Sequence, residues 1–230
     1  MNVYYLDIRK FSNDLRLWYQ EVSNDRLEKV NKYRFEVDKK RALLSEMLVR
    51  YGALNESTLS NSEITFQYGF YGKPSITEWE KYFNLSHSGD YIVVLIAETE
   101  VGIDLEKVES LDLELMGKNV LSKKEKAALD SANTYNDKLC LFFKFWTLKE
   151  SYLKYHGSTI AFDLPKLEFG LKEGIIEFSL EPTLNFQVTP FAENYFCGIC
   201  SKKKRQDVAF IEMSESELVR GLETSIYEKS

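Results

Sequence analysis

Asp104 and Glu106 lie two residues apart in VGIDLEKV (Val101 to Val108), a run that reads as a strand, so both carboxylates project from one face. Two like charges there repel unless a cation sits between them. Oxygen donors with no Cys or His beside them suit Mg²⁺ rather than zinc. A solvated strand end would show the same two side chains, so the pair gains meaning from its company. That company is FFKFWTLKESYLKYHG (Phe142 to Gly157). On a helix Trp146, Glu150 and Lys154 fall at i, i+4 and i+8, stacking an indole, a carboxylate and an ammonium along one side. Glu150 four residues before Lys154 is also the favourable order for a surface ion pair. The segment is rich in aromatics and reads as buried, however, and a buried Glu and Lys need partners beyond each other. A shared Mg²⁺ and a phosphate would supply them.

The stretch FNLSHSGD (Phe83 to Asp90) puts a hydroxyl, an imidazole and loop amides just ahead of an apolar run, a plausible phosphate-binding corner at Ser86 and His87. A nucleophilic Ser/His pairing lacks the G-x-S-x-G elbow it would need. Arg26, Lys29, Lys32, Arg41 and Lys73 are cations that could complete an anion pocket, although each alone reads as a solvated charge. Cys197 and Cys200 form a C-x-x-C without a second pair and with only two histidines in the chain, His87 and His156. Inside the apolar run YFCGIC they read as two small buried hydrophobes. KKKR (Lys202 to Arg205) reads as an exposed hairpin turn.

These groups need elements to position them. Val3 to Ile8 reads as an opening strand, Ser23 to Tyr51 as a long helical segment stopped at Gly52, and Gly69 to Pro74 as a turn. Tyr91 to Ala97 reads as a buried strand and Val101 to Leu105 as another. Helices are expected over Ser122 to Leu129 and Asp137 to His156, then short strands from Leu167 and a polar tail after Met213. An internal echo runs through this order. Leu6-Asp7-Ile8-Arg9 is matched by Ile103-Asp104-Leu105-Glu106, and the helix end Leu44-x-Glu46-x-x-x-Arg50 by Leu148-x-Glu150-x-x-x-Lys154. The expected fold is therefore α+β, two duplicated lobes: an N-terminal lobe over 1–100, and a C-terminal lobe over 101–230 that carries the metal site and the catalytic helix. A cleft between them is the natural site.

Bulk properties set the limits. The chain has 230 residues, 44% hydrophobic and 14% aromatic, too apolar for a disordered chain. Thirty Lys and Arg against 36 Asp and Glu give −6, which argues against a nucleic-acid binder held by a broad basic field. No membrane span and no secretory leader are read, so a cytoplasmic protein with reduced thiols is expected.

Taken together, YGKP (Tyr71 to Pro74), FNLSHSG (Phe83 to Gly89), VGIDLEKV and FWTLKESYLKYHG (Phe145 to Gly157), with RALLSEMLVR (Arg41 to Arg50), resemble the 4′-phosphopantetheinyl transferases of the Sfp, or surfactin-synthetase-activating, type in order and spacing. The resemblance implies two pseudo-twofold-related α+β lobes with coenzyme A between them. It also implies transfer of the 4′-phosphopantetheine arm of coenzyme A to a serine of an apo carrier protein (peptidyl, aryl or acyl), leaving adenosine 3′,5′-bisphosphate. Asp104, Glu106 and Glu150 match the Mg²⁺ ligands, with Mn²⁺ as a substitute. Lys154 matches the lysine on the pyrophosphate, and with Glu150 as candidate base forms the catalytic pair. Ser86 and His87 match the segment that meets coenzyme A, Lys73 and Pro74 the segment near the adenosine, and Arg26, Lys29 and Arg41 the cations toward the 3′-phosphate. Arg26 stands where a lysine is expected and Ala42 where a hydroxyl residue is expected. A monomer is implied, with Leu111 to Lys124 and Ser158 to Phe169 as candidate docking segments for the carrier. Two other classes compete: a non-catalytic carrier- or nucleotide-binding module, and a metal-dependent phosphohydrolase acting on coenzyme A.

Overall fold

A computed structural model describes residues 1–158, 163–172, 175–203 and 208–224. In chain order its first elements are β1 (Asn2–Asp7), α1 (Asn24–Val30), α2 (Glu36–Asn55), β2 (Phe66–Tyr68), β3 (Pro74–Ile76), β4 (Tyr82–Ser88), β5 (Tyr91–Ala97) and β6 (Val101–Lys107). There follow α3 (Leu113–Val120), α4 (Lys123–Asp130), α5 (Tyr135–His156), β7 (Phe169–Lys172), β8 (Ile175–Phe178), β9 (Asn185–Pro190), β10 (Tyr195–Ser201), β11 (Ala209–Glu212) and α6 (Glu215–Thr224). The mixed α+β class is the expected one.

The chain divides into two compact units, one made of Met1–Tyr68, Pro74–Glu98 and Asp207–Ser230, the other of Gly69–Lys73 and Thr99–Gln206. This differs from a contiguous division near residue 100 at the C-terminal end. There β11 runs parallel to β1, with Asn2 opposite Ala209 and Tyr5 opposite Glu212, and so joins the first unit's sheet.

Each unit repeats one topology. In the first, β1 leads to the buried helix α2, then to the β2–β3 hairpin, then to β4 and β5, and the sheet order is β11-β1-β5-β4. In the second, β6 leads to α5, then to the β7–β8 hairpin, then to β9 and β10, and the order is β6-β10-β9. The sequence echo thus begins on the first strand of each repeat: Leu6 and Asp7 end β1, with Ile8 and Arg9 just beyond it, and residues 103–106 lie within β6.

The cores follow from apolar patterning. In β5, Ile92 through Ala97 are all buried, as a near-continuous Val/Ile/Leu run demands. Leu43, Leu44, Met47 and Leu48 of α2 complete that core with Trp18 and Phe83. In the second unit Phe142, Phe145, Leu148, Tyr152 and Leu153 of α5 pack with Leu167, Phe169 and Phe196. Helix α5 opens on a capping box in which the Thr134 Oγ1 accepts from Asp137 N, and it closes on Gly157 at φ 64°.

Three expectations are corrected. The segment expected as one helix from Ser23 to Tyr51 is two: α1 ends at Val30 and α2 begins at Glu36, and Lys32 to Phe35 between them are exposed, the aromatic Tyr33 and Phe35 included, with no core beneath them. The stretch read as a loop at Phe83 to Asp90 is strand β4, turning at Gly89 (φ 52°) into β5; its buried polar residues Asn84 and Ser86 disguise the strand period. The tail after Met213 contains α6, whose Leu218 and Leu222, one turn apart, are fully buried. Of KKKR, Lys204 and Arg205 lie outside the described residues, as do residues 159–162 of the Ser158 to Phe169 segment.

Helix α5 lies against β6 and β10 with almost no gap. A Cβ on Gly102 would stand 2.0 Å from the Ser151 carbonyl oxygen, and one on Gly198 would stand 2.6 Å from that of Thr147. Both obstacles are backbone and cannot rotate away. Gly102→Ala is therefore expected to destabilise the protein by about 2–3 kcal/mol through overpacking, seen as a lower Tm; an unchanged Tm would contradict this contact.

Candidate active site

The close approach of α5 to β6 brings together the groups singled out by sequence. Asp104, on β6, is 3% exposed. Lys154 Nζ donates to its Oδ1 at 2.6 Å. Two residues along the strand, Glu106 Oε1 accepts from Trp146 Nε1 at 3.1 Å. The i, i+4, i+8 row of α5 therefore faces the i, i+2 pair of β6, with Trp146 on Glu106, Lys154 on Asp104, and half-buried Glu150 between them in sequence. Burial pushes the Glu150 carboxyl above the ordinary carboxylate range, the Asp104 charge pushes it further, and Lys154 partly offsets both.

Among the described residues no three His, Cys, Asp or Glu side chains gather into a closed metal-binding group. The donor set nevertheless fits a hard divalent cation: Asp104, Glu106 and Glu150 offer only oxygen, and the repulsion between Asp104 and Glu150 is what such a charge would relieve. Cys197 and Cys200 on the neighbouring β10 are buried free thiols, raised in pKa by burial, which makes them packing residues and poor nucleophiles.

On the other side of α5, one residue before Glu150, Lys149 is fully buried. Its Nζ donates to Glu125 Oε2 at 2.6 Å, to the Val120 carbonyl at 2.7 Å and to the Leu164 carbonyl at 3.0 Å. Glu125 in turn accepts from Ser122 N at 2.7 Å and from Phe169 N at 2.8 Å. This network was not singled out by sequence; its visible trace there is the S-x-x-E capping box at Ser122.

In the first unit a hollow of about 140 Å³ is lined by Arg26, Arg41, His87, Asp38, Ala42 and Ser45, among others. Arg26 Nε donates to Glu46 Oε2 at 2.9 Å. Glu46, 2% exposed, also accepts from Ser23 N at 2.7 Å and Arg50 Nε at 2.9 Å. Burial alone would raise the Glu46 carboxyl, but Ser23 N–H, Arg26 and Arg50 together hold it below the ordinary value. Arg41 donates from Nη2 to the Gly89 carbonyl at 2.7 Å and from Nη1 to Asp38 at 3.0 Å. Ser86 and His87 are consecutive on β4 and so point to opposite faces, Ser86 buried and His87 exposed. Lys29, exposed on α1, holds Nζ 4.4 Å above the Tyr68 ring. Pro74 opens β3. Lys73, in the second unit, ion-pairs with Glu100 and donates to the Val101 carbonyl at 3.1 Å and the Tyr155 carbonyl at 2.9 Å, so it ties down the end of α5.

A helix bearing an acid and an ammonium against a strand bearing two more acids, in the second copy of a repeated α+β unit, is the arrangement the sequence motifs anticipate for a phosphoryl-group transferase. Residues 100–211 match the 4′-phosphopantetheinyl transferase superfamily, and residues 10–100 match a family described as 4′-phosphopantetheinyl transferase, N-terminal. The chain belongs to the 4′-phosphopantetheinyl transferase superfamily, and among its relatives are enzymes of the Sfp type. It is 31% identical over 153 residues to the 4′-phosphopantetheinyl transferase Sfp of Bacillus subtilis (strain 168), spanning 66% of this chain and 67% of that one. It is 29% identical over 186 residues to the 4′-phosphopantetheinyl transferase gsp of Aneurinibacillus migulanus, 78% and 76% of the two chains. To the L-aminoadipate-semialdehyde dehydrogenase-phosphopantetheinyl transferase of Mus musculus it is 26% identical over 221 residues, 83% and 72% of the two.

Glu46 gives a stability test. Its folded pKa is depressed, so its contribution is full above the ordinary value of 4.5 and is lost as pH falls through the folded value. Glu46→Gln is expected to lose about 3 kcal/mol near neutral pH, and the gap in Tm from the unaltered protein should narrow below about pH 4.5. A gap independent of pH would show that the carboxylate charge is not what matters.

Proposed function

We propose that this protein transfers the 4′-phosphopantetheine arm of coenzyme A to a serine hydroxyl of an apo carrier protein, releasing adenosine 3′,5′-bisphosphate. The observation that carries this is the buried Asp104 with Lys154 on its Oδ1 and a Glu150 whose carboxyl is raised by burial and by Asp104. In the reaction the serine oxygen bonds to the phosphorus that bears the pantetheine arm, and the bond from that phosphorus to the bisphosphate breaks. Asp104, Glu106 and Glu150 would hold Mg²⁺, or Mn²⁺ in its place, which would neutralise charge on the pyrophosphate oxygens.

The remaining chemistry falls to the chain's own side chains. Glu150, half-buried on α5 between the residues that meet Asp104 and Glu106, takes the serine proton, directly or through a water. Lys154 balances charge on the departing bisphosphate. Trp146 fixes the rotamer of Glu106 through its indole N–H. Because the attacking hydroxyl belongs to the carrier, the enzyme needs no activated nucleophile, in keeping with the buried, raised thiols of Cys197 and Cys200.

For the nucleotide end, Arg26, Lys29 and Arg41 supply cations, Ser86 and His87 mark the strand that meets coenzyme A, and Lys73 with Pro74 lies toward the adenosine. Leu111 to Lys124 and Ser158 to Phe169 are the proposed carrier-docking segments. A duplicated unit within one chain suits a monomer, and a reaction that draws on coenzyme A suits the cytoplasm. No helix among the described residues is long and apolar enough to cross a membrane.

The protein, Mg²⁺, coenzyme A and an apo carrier should yield a phosphopantetheine adduct on the carrier by intact mass spectrometry. No adduct on any of several carriers would overturn the proposal. Coenzyme A consumption without a carrier would mark a phosphohydrolase, and binding without consumption a non-catalytic module. Glu150→Gln and Asp104→Ala should each lower the transfer rate by about a hundredfold or more with the fold retained. Lys154→Ala should lose rate more than Tm.

A further inference from the structure

Ser45 lies on α2 one turn beyond Ala42, on the same face, and both line the hollow that Arg26, Arg41 and His87 border in the first unit. Ser45 is 4% exposed, and its buried Oγ has no hydrogen-bond partner among the described residues. A helical serine ordinarily satisfies its hydroxyl on the carbonyl four residues back. Leaving it bare in a buried position is unfavourable, and such a group calls for an explanation. A rotation about χ1 is all that separates the three staggered positions of the hydroxyl.

The surroundings say what would accept from it. At about 140 Å³ the hollow suits one tetrahedral anion and is well below the roughly 300 Å³ of sites that enclose a whole drug-sized ligand. The one carboxylate in its wall, Asp38, is already paired with Arg41 Nη1 at 3.0 Å. Arg26 gives its Nε to Glu46, and among the described residues its terminal nitrogens have no such commitment. Two guanidinium groups, an imidazole and a hydroxyl around so small a space match a phosphate monoester, whose three terminal oxygens can each take donors.

We propose that Ser45 is a binding residue for a phosphate monoester, its Oγ donating to an oxygen of the group held by Arg26, Arg41 and His87. This rests on the proposed use of coenzyme A, whose one monoester is the ribose 3′-phosphate. Ser45 then provides, one turn later, the hydroxyl that Ala42 lacks.

The test is steady-state transfer to an apo carrier with coenzyme A or with 3′-dephospho-coenzyme A as donor, alongside the ligand-free Tm. Ser45→Ala should raise KM for coenzyme A about tenfold, as expected for loss of one hydrogen bond to a charged group, and leave KM for the dephospho donor within about twofold by the same reasoning. Its ligand-free Tm should be equal or higher, since a bare buried hydroxyl is removed; a purely structural serine would lower it. Ala42→Ser in the Ser45→Ala background should recover part of the loss. Equal losses with both donors, or none with coenzyme A, would overturn the role of Ser45. Transfer that proceeds equally well from both donors in the unaltered protein would sink the monoester site while the transferase function stood. Transfer from neither would overturn both.

Discussion

The second unit depends on a steric constraint: a helix backbone resting directly on strand backbone. At Gly102 and Gly198 no side chain separates α5 from β6 and β10, and the obstacles a Cβ would meet are main-chain atoms of Ser151 and Thr147. Packed interiors deform little, so this contact fixes the height and register of the helix together. Once that register is set, Trp146 must fall on Glu106 and Lys154 on Asp104. From the far side of α5 the Lys149–Glu125 pair holds the same turn. Burial works against both charges there, pushing the carboxyl up and the ammonium down, and their mutual attraction with four backbone partners offsets it.

The two repeats have settled the same inherited positions differently. In the second unit Asp104, Glu150 and Lys154 share one strip, where charges are crowded and partly desolvated. In the first unit the corresponding acids are satisfied locally: Asp7 accepts three bonds from Arg9, one from its backbone N–H at 3.1 Å and two from its guanidinium at 2.8 and 2.7 Å, and Glu46 is surrounded by Ser23, Arg26 and Arg50. A carboxylate whose lone pairs are filled by fixed donors stabilises a fold and has little left for chemistry. A carboxylate raised by its neighbour keeps an appetite for a proton or a cation. The acids of the first unit thus serve its scaffold, while those of the second stay crowded against one another.

Much of this was legible in the sequence, for identifiable reasons. The β5 run is apolar on both faces, and α5 has a capping box at its start and a glycine at its end, so both boundaries are close to those expected. The row Trp146, Glu150, Lys154 and the pair Asp104, Glu106 follow from periodicity alone. What stayed hidden depends on long-range pairing. Strand β4 looks like a loop in the sequence because its buried positions include Asn84 and Ser86, whose burial is decided by β5 and cannot be seen locally. The break between α1 and α2 reflects the lack of anything for Lys32 to Phe35 to pack against. Ser45 and Lys149 look like ordinary helix residues until the space around each is known.

The parallel pairing of β11 with β1 has a consequence for how the chain comes into being. The second unit, but for the short strap Gly69–Lys73, is one uninterrupted stretch, whereas the first unit needs residues that lie on both sides of it. During synthesis β1 can pair with β5 about ninety residues later, yet one of its edges stays bare until β11, some two hundred residues from β1, has left the ribosome. For that interval a Val- and Tyr-rich strand presents unpaired amides and carbonyls to other nascent chains. Strand β11, made long after its neighbour, is the one that closes the edge of the first.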